Sequence, residues 1–168
     1  MSLTLILTRH AKSAWDDPLQ DDFDRPLNER GRRSAPAIAR WLAEQGHLPD
    51  IVLVSGARRT VETWERMAPH LPETAEMQSA PALYLAEPKV ILGVLRSQSA
   101  PTVMMIGHNP GFALLAGSLA RQAPRHAKFS HYPTAACGVF AFDMSRWEDV
   151  TPGTATVVDF VVPKDLLD

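Results

Sequence analysis

A chain of 168 residues is long enough to bury a full hydrophobic core, and we expect a single domain over residues 1–168. Hydrophobic residues make up 45% of the chain and charged residues 21%, which is ordinary for a soluble globular protein. The net charge of −2 gives no general attraction to nucleic acid or to an anionic membrane, so any anion site must be built locally.

The cysteine content and the hydropathy of the chain indicate the cellular compartment in which we expect the protein. The single cysteine, Cys137, cannot form a disulfide within the chain and fits a reducing compartment. The N-terminus has no basic segment leading into an apolar stretch, and no run approaches the ~18 apolar residues of a membrane span. We therefore expect a cytoplasmic protein with neither a nucleic-acid partner nor a membrane partner.

The first element is an apolar run that ends abruptly in Arg9 and His10. Such a run predicts a strand buried on both faces, and ligands of open α/β sheets bind beyond the carboxyl ends of the strands. Arg9 and His10 are therefore candidates for chemistry. The alternative is that they are simply the polar end of a strand that reaches solvent.

Residues 11–27 are predicted to form a long loop, which in a compact domain is more often functional than idle. Trp15 in this loop is either a pocket wall or an anchor for a lid. A helix follows, with Asn28 as N-cap and Gly46 as its stop, and Pro36 indicates either a kink or a later start. Residues 51–54 are a second buried strand, so the order fits a βαβ unit with parallel strands.

The second half of the chain continues this alternation. We expect helices over residues 57–70, 87–96 and 111–121, a buried strand over residues 102–106, and a strand hairpin over residues 138–142 and 155–160. Residues 77–83 are predicted to be a linker with a short strand, and residues 122–134 have the composition of a mobile segment. The predicted fold class is a three-layer α/β/α sandwich with a mostly parallel central sheet.

Three predicted strands end in residues suited to chemistry. They are Arg9 and His10 after the first strand, Ser55, Arg58 and Arg59 after the second, and His108 before a helix N-terminus after the third. Arginine pairs bidentately with phosphate, a helix N-terminus offers free N–H groups to anions, and histidine can act as a nucleophile. The combination predicts phosphoryl transfer to His10 without a metal.

Three segments resemble the signatures of the histidine phosphatase superfamily, whose fold is phosphoglycerate mutase-like. Residues 8–13 (Thr-Arg-His-Ala-Lys-Ser) resemble its Arg-His-Gly signature, residues 55–63 resemble its Ser-Pro-x-x-Arg-x-x-x-Thr segment, and residues 107–109 resemble its second histidine segment. Counting four residues from Ser55 selects Arg59, and not Arg58, as the phosphate-binding arginine.

Other segments resemble the small branch of that superfamily and are similar to bacterial phosphohistidine phosphatases. They are residues 24–31, 83–84, 107–111 and 158–164, so the resemblance covers nearly the whole chain. It implies a phosphatase without a cofactor that acts on phosphohistidine in a protein partner. The alternative within the enzyme class is a phosphomonoesterase for small phosphorylated metabolites.

The resemblance also implies roles for individual residues. His10 would accept the phosphoryl group as a phosphohistidine intermediate, which water then hydrolyses. Phosphate binding and transition-state stabilisation are assigned to Arg9, Arg59 and His108, and substrate contacts to Arg25, Ser13 and Asn109.

The sequence departs from the family pattern at two positions. Ala11 replaces the usual glycine, and Lys12 stands where many mutases carry an acid. No proton donor is evident, and Asp22, Asp24 and Glu87 are weak candidates. A phosphoramidate leaving group needs less help from an acid than a sugar phosphate does.

Two other classes of protein remain as alternatives. A metallohydrolase could use His10 and His108, but metal sites normally add further ligands, and neighbouring arginines repel a cation. A phosphate-binding or scaffold module without catalytic activity would not need His10.

Overall fold

The computed structural model describes residues 2–167, which form a six-stranded sheet between two layers of helices. The strands are β1 (Leu3–Arg9), β2 (Ile51–Val54), β3 (Glu76–Ser79), β4 (Thr102–Gly107), β5 (Cys137–Phe142) and β6 (Ala155–Val161). Their order is β3-β2-β4-β1-β5-β6, in which the first four are parallel and the β5–β6 hairpin is antiparallel. The predicted mostly parallel sheet with an added hairpin is confirmed.

The helices lie on both faces of this sheet. They are α1 (Glu29–Glu44), α2 (Arg58–Met67), α3 (Pro88–Arg96), α4 (Gly111–Leu119) and α5 (Pro163–Leu166). Neighbouring residues of β1 face opposite layers, so Leu5 packs into the core under α3 and α4, whereas Ile6 packs into the core under α1 and α2. The predicted three-layer sandwich is confirmed. Among residues 2–167, no helix has the length and apolar character needed to cross a membrane.

Helix α1 fixes the end of the long loop. The Asn28 side chain accepts a hydrogen bond from the Gly31 N–H at 2.9 Å, as predicted for an N-cap. The helix starts at Glu29 and continues through Pro36, so the alternative of a later start is wrong. A Cβ atom on Gly31 would lie 2.2 Å from the Lys12 carbonyl oxygen, so only glycine permits the start of α1 to pack against the chain just beyond β1.

The segment from residue 122 to 134 is anchored in the core, contrary to what its composition suggests. Phe129 and Tyr132 are both buried, and the Tyr132 hydroxyl donates a hydrogen bond to the Leu7 carbonyl. Tyr132 has a φ of 53° and Ala135 a φ of 61°, left-handed conformations that are unfavourable for residues with side chains. The contacts that hold the chain there include the Tyr132 hydroxyl bond and the bond that the Ala135 N–H donates to the His10 carbonyl at 2.9 Å.

Candidate active site

The sheet order brings the three predicted strand ends to one edge. Strand β4 lies between β1 and β2, and the register aligns Arg9 with Gly107. The residues that follow β1, β4 and β2 are His10, His108 and Ser55, and all three are buried. The two imidazole rings lie 5.4 Å apart between centroids, so residues separated by almost 100 positions in the chain form one site.

The tautomer of His10 is set by the backbone. Its Nδ1 atom lies 2.7 Å from the Ala11 carbonyl oxygen, and a carbonyl can only accept, so Nδ1 carries the proton and Nε2 keeps a lone pair. Burial, and to a lesser extent the charges of Arg9 and Arg59, lower the pKa of His10 to about 3. His10 is therefore a neutral imidazole at neutral pH, the form that a nucleophile requires.

His108 is held in the opposite tautomer. Arg59 Nη2, which can only donate, lies 3.3 Å from His108 Nδ1, so the ring proton is on Nε2 and is donated to Ser55 Oγ at 2.8 Å. Burial and the charge of Arg59 lower the pKa of His108 to about 3. Both imidazoles of the site are thus neutral and have fixed orientations.

These pKa shifts predict an unusual titration. The folded-state pKa of each ring lies below its ordinary value of 6.5, so the unfolded chain binds more protons between pH 6.5 and about 3, and stability falls as the pH is lowered through this range. By NMR, we expect the ring-proton shifts of His10 and His108 to stay constant from about pH 8 to about pH 5. In denaturant, His10 and His108 should both titrate near pH 6.5. A midpoint near 6.5 for either ring in the folded protein would contradict the assigned protonation states.

Helix α2 explains the spacing of four between Ser55, Arg59 and Thr63. Arg59 and Thr63 are one helical turn apart and share a face of the helix, while Ser55 precedes its first turn. Thr63 Oγ1 accepts from the Ala11 N–H at 3.0 Å and donates to the Arg59 carbonyl at 2.6 Å, so it ties α2 to the chain just after His10. Arg59 is buried in the site, whereas Arg58 is exposed and pairs with Glu65 at 3.5 Å.

Asp22 connects two arginines of the site. Its Oδ1 accepts from Arg25 Nη2 at 2.7 Å, and its Oδ2 accepts from Arg59 Nη2 at 3.0 Å and from the Tyr84 hydroxyl at 2.6 Å. Burial raises the pKa of Asp22, but the hydrogen bonds from Arg25, Tyr84 and Arg59 outweigh it and hold the pKa well below its usual range. Asp22 therefore carries no proton at neutral pH, which argues against Asp22 as the proton donor.

The other two donor candidates lie away from this network. Asp24 and Glu87 are exposed, and within residues 2–167 neither forms a hydrogen bond or ion pair with the site histidines or arginines. The described structure therefore provides no protonated carboxyl group in contact with His10.

Three arginines surround the histidines. The Arg25 guanidinium donates to Ser13 Oγ, and the ring of Trp15, which is 78% exposed, covers it at 3.6 Å. Arg9 Nη1 donates to the Tyr132 carbonyl at 3.3 Å. Among residues 2–167, the buried side-chain nitrogen atoms without a hydrogen-bond partner are Nε of Arg9, Arg25 and Arg59. Buried donors without acceptors are costly, and the oxygens of a tetrahedral anion are acceptors that arginine binds well.

Asn109 lies at the site but its amide is fully engaged. Its Nδ2 donates to the His131 and Tyr132 carbonyls, both at 3.0 Å, and its Oδ1 accepts from the Ala113 N–H at 3.2 Å. Pro110 occupies the N-cap position of α4, and the Asn109 side chain accepts from an N–H in the first turn of that helix. In this arrangement Asn109 fixes the loop beside His10 to the start of α4.

Tyr84 is the site residue that sequence reasoning missed most clearly. Besides its bond to Asp22, its ring packs edge-on against His108 with the centroids 5.3 Å apart. It follows the short helical turn Pro81–Leu83, which has no periodicity to reveal its direction. Its inclusion in a segment similar to the phosphohistidine phosphatases was the one available signal.

The donor set of this site does not suit a cation. Residues 2–167 contain no group of three or more His, Cys, Asp or Glu side chains arranged to hold a metal ion. The two imidazoles are instead surrounded by guanidinium groups, which attract anions and repel cations.

Comparisons with known proteins agree with this geometry. The sequence profile of the histidine phosphatase superfamily (branch 1) matches residues 5–84. A solved structure from Nakamurella multipartitia, provisionally named phosphohistidine phosphatase SixA, is 27% identical and superposes with a TM-score of 0.81 over 97% of each chain. The chain belongs to the histidine phosphatase superfamily.

Two further relatives resemble this histidine phosphatase over nearly the whole length of the chain. A protein from Agrobacterium tumefaciens with the same provisional name is 26% identical, with a TM-score of 0.78 over 96% of this chain and 98% of that one. An uncharacterised protein of Mycobacterium tuberculosis is 33% identical over 163 residues, which cover 93% of this chain and 99% of the relative. The fold is phosphoglycerate mutase-like, and the activity is that of a phosphatase.

Proposed function

We propose that this chain is a phosphohistidine phosphatase in which His10 carries the phosphoryl group and no metal takes part. The observation that supports the nucleophile best is the fixed tautomer of His10, with its proton on Nδ1 toward Ala11 and a lone pair on Nε2. Arg9, Arg25 and Arg59 each have a buried Nε without a hydrogen-bond partner, and their guanidinium groups are suited to binding the phosphate oxygens. We also propose that residues 1–168 act as one domain.

The reaction has two displacement steps. First, Nε2 of His10 attacks phosphorus, the bond from phosphorus to the substrate breaks, and its electron pair leaves with the substrate, which takes a proton from solvent. Arginine donors stabilise the equatorial oxygens while His108 holds the Arg59 guanidinium in place. Water then attacks phosphorus, the bond to His10 breaks, and the products are neutral His10 and inorganic phosphate.

The ionised state of Asp22 bears on the substrate class. Among the described residues, it is the carboxylate in contact with the arginines of the site, and it carries no proton at neutral pH. A site without a protonated carboxyl favours a substrate whose leaving group departs with little acid assistance. The P–N bond of phosphohistidine meets that condition better than a phosphate ester, and the provisional names of the two SixA-like proteins support the same class.

Competing substrates and a chelator test this proposal. We expect a phosphohistidine-bearing protein to be hydrolysed with a higher kcat/KM than sugar phosphates, and we expect activity to persist after exhaustive treatment with a strong chelator. A preference for sugar phosphates would favour the phosphomonoesterase instead. Loss of activity in the chelator, restored by a divalent cation, would show a metallohydrolase.

Asp22→Asn gives a separate test of the carboxylate. Asp22 competes with phosphate for Arg25 and Arg59 and repels it, so we expect inorganic phosphate to inhibit the variant about threefold to tenfold more tightly, a modest gain because the Asp22 side chain is 43% exposed. We expect kcat to change little. Asp24→Asn, on the same short turn, is the matched control and should behave as wild type. Weaker phosphate inhibition in Asp22→Asn would mean that Asp22 chiefly positions the arginines.

A further inference from the structure

A basic groove lies beside the candidate active site. Its volume is about 440 Å³, and its walls come from residues 126–134, the start of α1 and the β6–α5 junction. The basic side chains that line it are Lys12, Arg30, Lys128, Lys164, His126 and His131. Among its described lining residues the one acid is Asp165, which pairs with His126 at 2.8 Å and accepts from the Val162 N–H at 3.0 Å. Because the whole chain has a net charge of −2, this cluster of basic side chains is a local feature of its surface.

The groove and the candidate active site share backbone. Lys12 is two residues from His10, so their Cα atoms lie within about 7 Å. Thr134, which also lines the groove, precedes Ala135, whose N–H donates a hydrogen bond to the His10 carbonyl at 2.9 Å. The groove is therefore within reach of residues that neighbour a phosphoryl group at His10 on a macromolecular substrate.

We propose that the basic groove binds acidic side chains, Asp and Glu, that flank the phosphohistidine on the substrate protein. This inference rests on the proposed function. Lys12, Lys128 and Lys164 are exposed and come from three different parts of the chain, so they can adapt to carboxylates spread over a protein surface. Complementary charge of this kind accelerates encounter and fixes the orientation of the partner.

Other anionic partners fit the groove less well. Single-stranded nucleic acid is bound by stacking its bases on aromatic rings, and no Phe, Tyr or Trp is among the described residues that line the groove. An interfacial membrane site needs large apolar side chains next to the lysines, and the apolar residues here are Val162 and the prolines 133 and 163.

Charge reversal in matched pairs tests the groove. Lys128→Glu/Lys164→Glu reverses two charges inside it, and Lys89→Glu/Arg121→Glu reverses two exposed charges that do not line it. On an acidic phosphohistidine protein at low salt, we expect kcat/KM to fall about tenfold or more in the groove variant only, and the difference to shrink at high salt. Turnover of p-nitrophenyl phosphate should stay at the wild-type value in both, which also shows that both fold.

A binding assay keeps this test independent of the proposed function. By fluorescence anisotropy, we expect wild type to bind a labelled glutamate-rich peptide and the groove variant to bind it about tenfold more weakly. If wild type fails to hydrolyse phosphohistidine but binds the peptide in this way, the proposed function fails and the groove stands. Equal binding of the peptide by the wild type and the groove variant would overturn the proposed role of the basic groove. Binding of oligonucleotides or anionic vesicles in preference to the peptide would also overturn it.

Discussion

His10→Gln is expected to lower turnover of p-nitrophenyl phosphate by at least about 10³-fold and to abolish the phospho-enzyme. Glutamine can still donate a hydrogen bond to the Ala11 carbonyl, as His10 Nδ1 does, but it has no lone pair that can attack phosphorus. The measurement is a rapid quench with substrate in excess, followed by mass spectrometry under alkaline conditions that preserve acid-labile phosphohistidine.

His70→Gln is the matched control for this variant. His70 is exposed in the short turn after α2, and no contact links it to the candidate site in the described structure. It should keep wild-type turnover and a normal phospho-enzyme. Near-normal turnover by His10→Gln, or a phosphoryl group found on another residue of the wild type such as His108, would show that the nucleophile is wrongly assigned.

The site residues that directly follow strands could be predicted, because a short apolar run in the sequence is enough to indicate where a buried strand ends. A buried parallel strand must end at the same edge as its neighbours, so apolar runs ending in His10 and His108 were sufficient to bring the imidazoles together. The choice of Arg59 over Arg58 came from the resemblance to the family's Ser-Pro-x-x-Arg-x-x-x-Thr segment, and the helical repeat, which puts Arg59 and Thr63 on one face, is its physical basis.

The role of Asp22 was beyond sequence reasoning because it depends on how a long loop closes. Several aspartates lie in residues 16–24, and no periodicity distinguishes them. The loop is closed by an isolated bridge between Ser13 and Leu27 and by the bond from the Leu27 N–H to the buried Glu62 side chain at 3.0 Å. Such long-range contacts decide which carboxylate meets the arginines, and they leave no local signature.

The structures of short segments, and of segments that mix polar residues with a few aromatic ones, were predicted poorly for a related reason. Residues 122–134 are polar on average, yet the two aromatics Phe129 and Tyr132 anchor them in the core. The short strand predicted within residues 77–83 is present as β3, but helix α5, with four residues too short for a hydrophobic repeat to establish itself, was not predicted.

The second large effect is expected at Arg59, the arginine that donates a hydrogen bond to His108. It donates to the Asp22 carboxylate and backbone carbonyl, at 3.0 and 2.7 Å, and to His108 at 3.3 Å. Arg59→Met keeps the length of the side chain but removes its charge and its donors, so we expect kcat/KM to fall by about 10²- to 10³-fold.

Arg58→Met controls for loss of a neighbouring charge from the same helix, because Arg58 is exposed and pairs with Glu65 instead of the site. Arg59→Lys keeps the charge without the planar fork and should recover part of the loss. In parallel, inhibition by tungstate, a tetrahedral oxyanion, should weaken in Arg59→Met and stay at the wild-type value in Arg58→Met. Equal losses in the two methionine variants would mean that the effect comes from overall charge, and the buried arginine would not be the phosphate ligand of this enzyme.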